Sequence, residues 1–204
     1  MKMTAKKESR GAATRERIIE EAVQIFSIKG FYNTSLDDIL QAAKLSKGGF
    51  FCHFESKEEL GFAALDKAVA MWREKVLPLL ESKSSPLDKL LALIDGHRYL
   101  AENRTFKGGC FFLTLATEMD DQHELFRKRL GEIYDQWRDF IIDILEEGKK
   151  KGVFKKGIHP EESANLIIAT VEGSVLLSKI RRDTKLFLDA MQNLKNVIVE
   201  SLTA

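Results

Sequence analysis

Proline, cysteine and any excess of one sign of charge are all scarce in this chain of 204 residues, and each scarcity closes off a class of protein. With only three prolines, long stretches run without a breaker, so helix is free to dominate. The two cysteines, Cys52 and Cys110, lack metal-ligand spacing and argue against a disulfide framework. A reducing cytoplasm is therefore the expected compartment. The formal net charge of +1 is too small to argue for a polyanionic partner from bulk charge alone. No continuous apolar run approaches membrane-spanning length, and the basic N-terminus has no apolar stretch behind it. Neither a membrane partner nor a secretory signal is expected. The four histidines, His53, His97, His123 and His159, are scattered, so no metal, cofactor or catalytic constellation is expected. Gly108-Gly109 lacks the lysine and preceding strand of a phosphate loop.

What is present describes a soluble, helical protein. Apolar residues make up 44% and charged residues 31%, and the length suffices for one large domain or two small ones. Charge is uneven: Lys2, Lys6, Lys7, Arg10, Arg15 and Arg17 face only Glu8 and Glu16 in the first seventeen residues. Such an arm either displaces counterions from nucleic-acid phosphates or serves as a solubilising tail. Apolar spacing predicts a first helix from Thr14 to Lys29, stopped by Gly30. Thr34 or Ser35 caps a second, with Asp37 and Asp38 in its first turn. Ser46 caps a short third helix, and a long fourth runs from Lys57 to about Leu80 with an interruption near Pro78. Further helices are expected at 86–102, 108–118, 122–150, 160–181 and 184–202, making about nine in an all-α chain. No strand alternation and no internal repeat is visible.

The third helix carries the chemistry. Two helix starts, a tight turn and a small glycine-rich helix within fewer than thirty residues form a helix-turn-helix pattern. The run Thr34-Ser-Leu-Asp-Asp-Ile, the turn Ala42-Ala-Lys-Leu-Ser-Lys-Gly48 and the exit His53-Phe-Glu-Ser-Lys-Glu-Glu-Leu60 resemble the TetR family of transcriptional regulators. The resemblance is close over residues 14–62 and elsewhere rests on length and helix pattern. It implies a three-helix DNA-binding head over residues 1–55 with a basic N-terminal arm, and a regulatory ligand-binding and dimerisation body over residues 56–204. It further implies Lys47 and Gly49 at base edges and Thr34, His53 and Lys57 near phosphates, with Phe50 and Phe54 as core anchors. Ser46 would cap the reading helix, Gly48 would let its backbone approach the duplex, and the Phe51 ring would reach a thymine methyl. Three positions depart from the family pattern: Lys44 stands in the turn where glycine is common, Gly49 where a hydroxyl is common, and Phe51 where tyrosine is usual. Lys44 is thereby expected in a left-handed conformation at a cost of about 1 kcal/mol.

The family places an effector pocket and a dimer interface after Leu60. Trp72, Phe111, Phe112, Tyr134 and Trp137 are candidate apolar lining, with Tyr99 and Phe140 in reserve; His97, Thr114, Glu118 and Tyr134 are candidate polar groups. Gly108-Gly-Cys110 resembles the glycine-cysteine helix start of one TetR subgroup, and a thiol at a helix N-terminus is a candidate sensor of oxidants or electrophiles. On the last two helices, the stripes Ile168, Val171, Val175 and Phe187, Met191, Leu194, Ile198 are the expected homodimer surface. The functional expectation is a non-enzymatic, ligand-responsive repressor bound to a palindromic double-stranded DNA operator and released by a small apolar or aromatic effector. The alternatives are a redox-sensing repressor acting through Cys110, or a sensor or docking module without strong DNA binding.

Overall fold

The computed structural model describes the backbone of residues 2–119 and 123–204, with side chains from residue 11 onward. The side chains of Lys2, Lys6, Lys7 and Arg10 in the basic arm lie outside the described residues. Among the described residues nine helices follow one another: α1 (Lys2–Lys29), α2 (Leu36–Ala43), α3 (Lys47–Phe51), α4 (Lys57–Glu81), α5 (Pro86–Glu102), α6 (Phe111–Met119), α7 (Glu124–Lys150), α8 (Pro160–Arg181) and α9 (Thr184–Leu202). Among the described residues the sole strand-like feature is an isolated bridge between Phe154 and Thr203.

Most boundaries follow from local chemistry. Ser35 and Asp38 form a reciprocal capping box at α2, the Ser35 side chain accepting from the Asp38 amide and the Asp38 carboxylate accepting from the Ser35 amide. Proline opens α5 and α8 at the position where a missing N–H costs nothing. Two expectations fail. Helix α1 begins at Lys2, so Thr14 is an interior residue rather than a cap. Pro78 does not interrupt α4, which continues to Glu81; it forfeits one backbone bond, that to the Glu74 carbonyl, close to the end of the helix.

The chain divides into two compact units by packing. One comprises residues 1–71 and 106–126, the other residues 72–105 and 127–204. In the first, α1 packs on α2 and on α6, over a core that includes Ile18, Val23, Phe26, Ile39, Phe50, Phe54, Leu60, Phe111 and Leu115. Phe31 sits 5.4 Å from Phe126 by ring centroids, and Phe126 stacks on Phe62 at 4.0 Å. Gly61 makes room for this group, since a Cβ there would lie 2.7 Å from both Phe126 and Phe31. In the second unit, α9 packs on α8 and α5 over Leu90, Leu93, Ile141, Leu145, Ile168, Val171, Phe187, Met191 and Ile198. Segment 106–126 belongs by packing to the unit that holds the helix-turn-helix, so α6 is built onto the head.

Candidate nucleic-acid interface and effector region

The turn between α2 and α3 is a Schellman motif. Lys44 N–H donates to Gln41 O and Leu45 N–H donates to Leu40 O, with Lys44 at φ 52. The expected left-handed lysine is present. Ser46 then caps α3, its Oγ accepting from the Gly49 amide at 3.2 Å. Helix α3 has two distinct faces. Phe50 is fully buried and, with Phe54 at 5.7 Å, anchors the helix to the head. Lys47, Gly48 and Cys52 are exposed, and Phe51 is 49% exposed. Nothing lies within 4 Å of a Cβ built at Gly48, and only ordinary contacts surround one at Gly49. Neither glycine is demanded by packing within the head. Their small size serves an outside partner or nothing. His53 is half-buried in the turn beyond α3, and the Arg15 guanidinium lies 4.6 Å over the Phe54 ring.

Two of the expected phosphate contacts are otherwise engaged. Thr34 is fully buried, and its hydroxyl donates to Gly30 O at 2.6 Å. Lys57 donates from Nζ to the carbonyls of Phe31 and Thr34, both at 2.9 Å, and covers the Phe31 ring at 4.3 Å. Burial lowers the Lys57 pKa while the Glu118 carboxylate acts in the opposite direction. Both residues organise the loop between α1 and α2, the Thr34 hydroxyl proton and two of the three Lys57 ammonium protons being used within it. The physical reason is that this loop ends helix α1 and must satisfy carbonyls that no helix bond reaches.

The expected effector residues fall into two groups. In the second unit, His97 stacks on Trp137 at 5.3 Å and lies 5.9 Å from Trp72, ring centroid to ring centroid. Trp72 Nε1 donates to His97 Nε2 at 3.4 Å, while His97 Nδ1 donates to Leu93 O at 2.9 Å. This pattern needs the neutral tautomer with its proton on Nδ1, and burial of the ring lowers the pKa in the same sense. Trp137 Nε1 is buried with no hydrogen-bond partner among the described residues. Tyr134 donates its hydroxyl to Asn165 Oδ1 at 2.7 Å. In the first unit, Cys110, Phe111, Phe112 and Thr114 open α6. Phe111 is buried in the core, and the Thr114 hydroxyl donates to Cys110 O at 3.0 Å. Cys110 Sγ accepts from the Leu113 amide at 3.5 Å. Glu118, expected to orient a ligand, instead accepts from the Phe31 amide at 2.6 Å. Gly108 lies so near α1 that a Cβ there would come within 1.7 Å of Ser27 O, and Gly109 has φ 94. The two glycines therefore serve a close helix approach and a turn.

Comparison with known proteins agrees with this geometry. Residues 18–64 match the model of bacterial regulatory proteins of the tetR family, and residues 86–194 match that of the tetracyclin repressor-like C-terminal domain. The chain belongs to the TetR family. The regulator is 28% identical to the HTH-type transcriptional repressor DhaR of Mycobacterium sp. strain GP1, over 83% of this chain and 84% of that one. It is 26% identical to the Escherichia coli K12 repressor NemR, over 91% and 94% of the two chains. A crystal structure of a TetR transcriptional regulator from Chloroflexus aurantiacus superposes with a TM-score of 0.90 at 34% identity, covering 96% of this chain and 98% of that one. The regulator is thus a ligand-responsive, sequence-specific DNA-binding protein of a family of transcriptional regulators.

The expected dimer stripes require correction. In the regulator Ile168, Val171, Phe187, Met191, Leu194 and Ile198 are all buried in the core of a single chain, and Val175 is packed against it. A second apolar stripe on α8 faces outward: Leu166, Leu177 and Ile180 are 61%, 58% and 66% exposed, in line with exposed Gly173. Exposed Leu186 and Val197 follow on α9. The signal was available, because α8 is apolar on both faces. By length and composition alone it is long and apolar enough to cross a membrane.

Proposed function

We propose that the regulator is a homodimeric cytoplasmic repressor that reads a palindromic operator with α3 and releases it when a small, mostly apolar aromatic effector binds. The two-faced character of α3 carries this reading. Phe50 holds the helix to the head while Lys47, Gly48 and Phe51 stand free on the other side. Lys47 would donate to guanine O6 and N7 in the major groove, the Gly48–Gly49 backbone would approach the duplex, and Phe51 would cover a thymine methyl. Ser46 and His53 flank these positions toward the phosphates. Thr34 and Lys57 keep the scaffold in place. The effector would enter at Trp72, His97 and Trp137, with an acceptor atom on the ligand meeting the Trp137 N–H. Trp72 and Lys57 lie on the same helix, so a ligand touching one acts on the element that carries the other. To shift the operator equilibrium, the effector must prefer the unbound state. The exposed stripes of α8 and α9 would meet their symmetry copies.

Gel shift against the promoter-proximal inverted repeat tests the reading, with Lys47→Ala beside the wild type. Loss of about tenfold in affinity is expected for Lys47→Ala, with discrimination relaxed at one base step. Wild-type affinity should fall steeply between roughly 50 and 200 mM salt. Unchanged affinity in Lys47→Ala, or a flat salt profile, would sink the reading.

A further inference from the structure

The loop between α1 and α2 is held from two sides by opposite charges. Gly30 ends α1 at φ 81, and the next residue carries both contacts on its two flanking peptides: the Phe31 N–H donates to Glu118 Oε2 at 2.6 Å, and the Phe31 carbonyl accepts from Lys57 Nζ at 2.9 Å. The Thr34 carbonyl takes a second bond from the same ammonium. Glu118 lies in the last turn of α6, while Lys57 opens α4 just beyond the turn that follows α3. The carboxylate reaches the Phe31 amide only because residue 30 is glycine, since a Cβ there would lie 1.8 Å from Glu118 Oε1. At the other end of the same segment the bonding is to α1 itself: Lys107 N–H donates to Gln24 Oε1 at 3.1 Å and Gly108 N–H to Ser27 Oγ at 3.1 Å. Segment 107–118 is therefore tied to the head at both ends.

We propose that Glu118 is a positioning residue for operator binding: through the Phe31 backbone and Lys57 it sets where the exit of α3 is held on the head. The proposal rests on the reading of α3 as the helix that enters the operator. A hydrogen bond from a backbone amide to a carboxylate is stronger than one to a neutral acceptor, and the adjacent ammonium is half-buried. The Glu118 carboxylate offsets part of the burial that lowers the Lys57 pKa. Removing the carboxylate leaves the Phe31 N–H unmatched and the Lys57 ammonium short of its counter-charge. The loop and the start of α4 then lose their common anchor, and α3 loses its fixed presentation. Any displacement of the end of α6 acts on the same residue.

The test uses full-length protein and a fluorescein-labelled duplex selected by the wild type from a random library. Operator affinity is read by anisotropy for Glu118→Ala, Glu118→Gln, Lys57→Met and the double variant Glu118→Ala/Lys57→Met. Circular dichroism and thermal melting establish the folded fraction of each. Glu118→Ala should bind about tenfold more weakly while folded, the size of one charge-assisted hydrogen bond. Glu118→Gln, which keeps an acceptor without the charge, should fall between. The double variant should lose no more than about twofold beyond the weaker single variant, because both changes break one linkage. A purely structural role would lower the melting temperature and leave the affinity of the folded protein unchanged, and that result overturns the proposal. Multiplicative losses in the double variant overturn it as well. Failure of Lys47→Ala to weaken binding, with the Glu118 losses intact, would instead remove the reading of α3 and leave the linkage standing. A wild type that selects no duplex at all overturns both.

Discussion

Lys44, Arg104 and Arg182 are the non-glycine residues with positive φ among those described, at 52, 48 and 51 degrees. Each occupies the left-handed position just past a helix end, closed by the paired backbone bonds of a Schellman motif. All three carry a cation, which the negative end of the helix dipole favours. That benefit offsets only part of the steric cost of a Cβ in this conformation. Lys44 is exposed and makes no side-chain contact that a glycine would forfeit among those described. Lys44→Gly should therefore raise stability by about 1 kcal/mol, read as a higher denaturant midpoint at unchanged slope. Lys44→Val should lower it. At this scale the sequence was legible wherever one side chain acts on its own backbone. Ser35 with Asp38, Ser46 with Gly49 and Lys44 itself follow from spacing alone. Asp38 even shows its role in titration: the Lys29 ammonium, then the Ser35 amide and hydroxyl, hold its pKa down to about 2. Thr34 shows where that legibility stops, because its hydroxyl was free to cap α2, meet a phosphate or bond back to Gly30 O. Only the burial of the loop selects the third.

Helix α3 is five residues long and two of them are glycine, a combination that should not hold a helix by propensity. It is held instead by Ser46 at its start and by Phe50 in the core. Helix stability and DNA approach therefore make opposite demands on Gly48. Gly48→Ala should stabilise the fold by about 0.5 kcal/mol, because an open position gains helix preference at no steric cost. The same variant should bind the selected duplex more weakly, since a methyl would stand where the backbone meets DNA. Denaturation and anisotropy on one preparation check both signs. Improved stability with unchanged affinity would remove Gly48 from the interface. Helix α8 teaches the converse lesson about reading elements. Its periodicity offered two apolar stripes, and the sequence gives no rule for choosing which one turns inward. Packing against α9 buries Ile168 and Val171 and leaves Leu166, Leu177 and Ile180 outside.

For the whole molecule, the exposed stripe of α8 is the feature that a single chain cannot satisfy. An apolar row of this kind is uncommon on a chain that works alone. Ile180→Asp, at a position 66% exposed, should leave helix content and single-chain stability unchanged and convert a sedimenting dimer to a monomer. Operator binding should then weaken far more than any single contact explains, because two linked heads gain affinity through effective concentration. A variant that remains dimeric would place the interface elsewhere. The division of the chain by packing also bears on mechanism. The boundary expected near residue 55 is not where the packing divides: residues 1–71 and 106–126 form one unit.

The sequence by itself determined the number and order of the helices, the caps of α2 and α3, the helix-turn-helix and the family. These depend on spacing along one chain and on side chains acting on neighbouring backbone. Tertiary structure alone decided which of two apolar faces of α8 is core, that the Thr34 hydroxyl and the Lys57 ammonium support a loop, and that Glu118 on α6 reaches back to Phe31. Those outcomes depend on groups far apart in sequence competing for the same unsatisfied carbonyls and amides, and no local pattern records who wins.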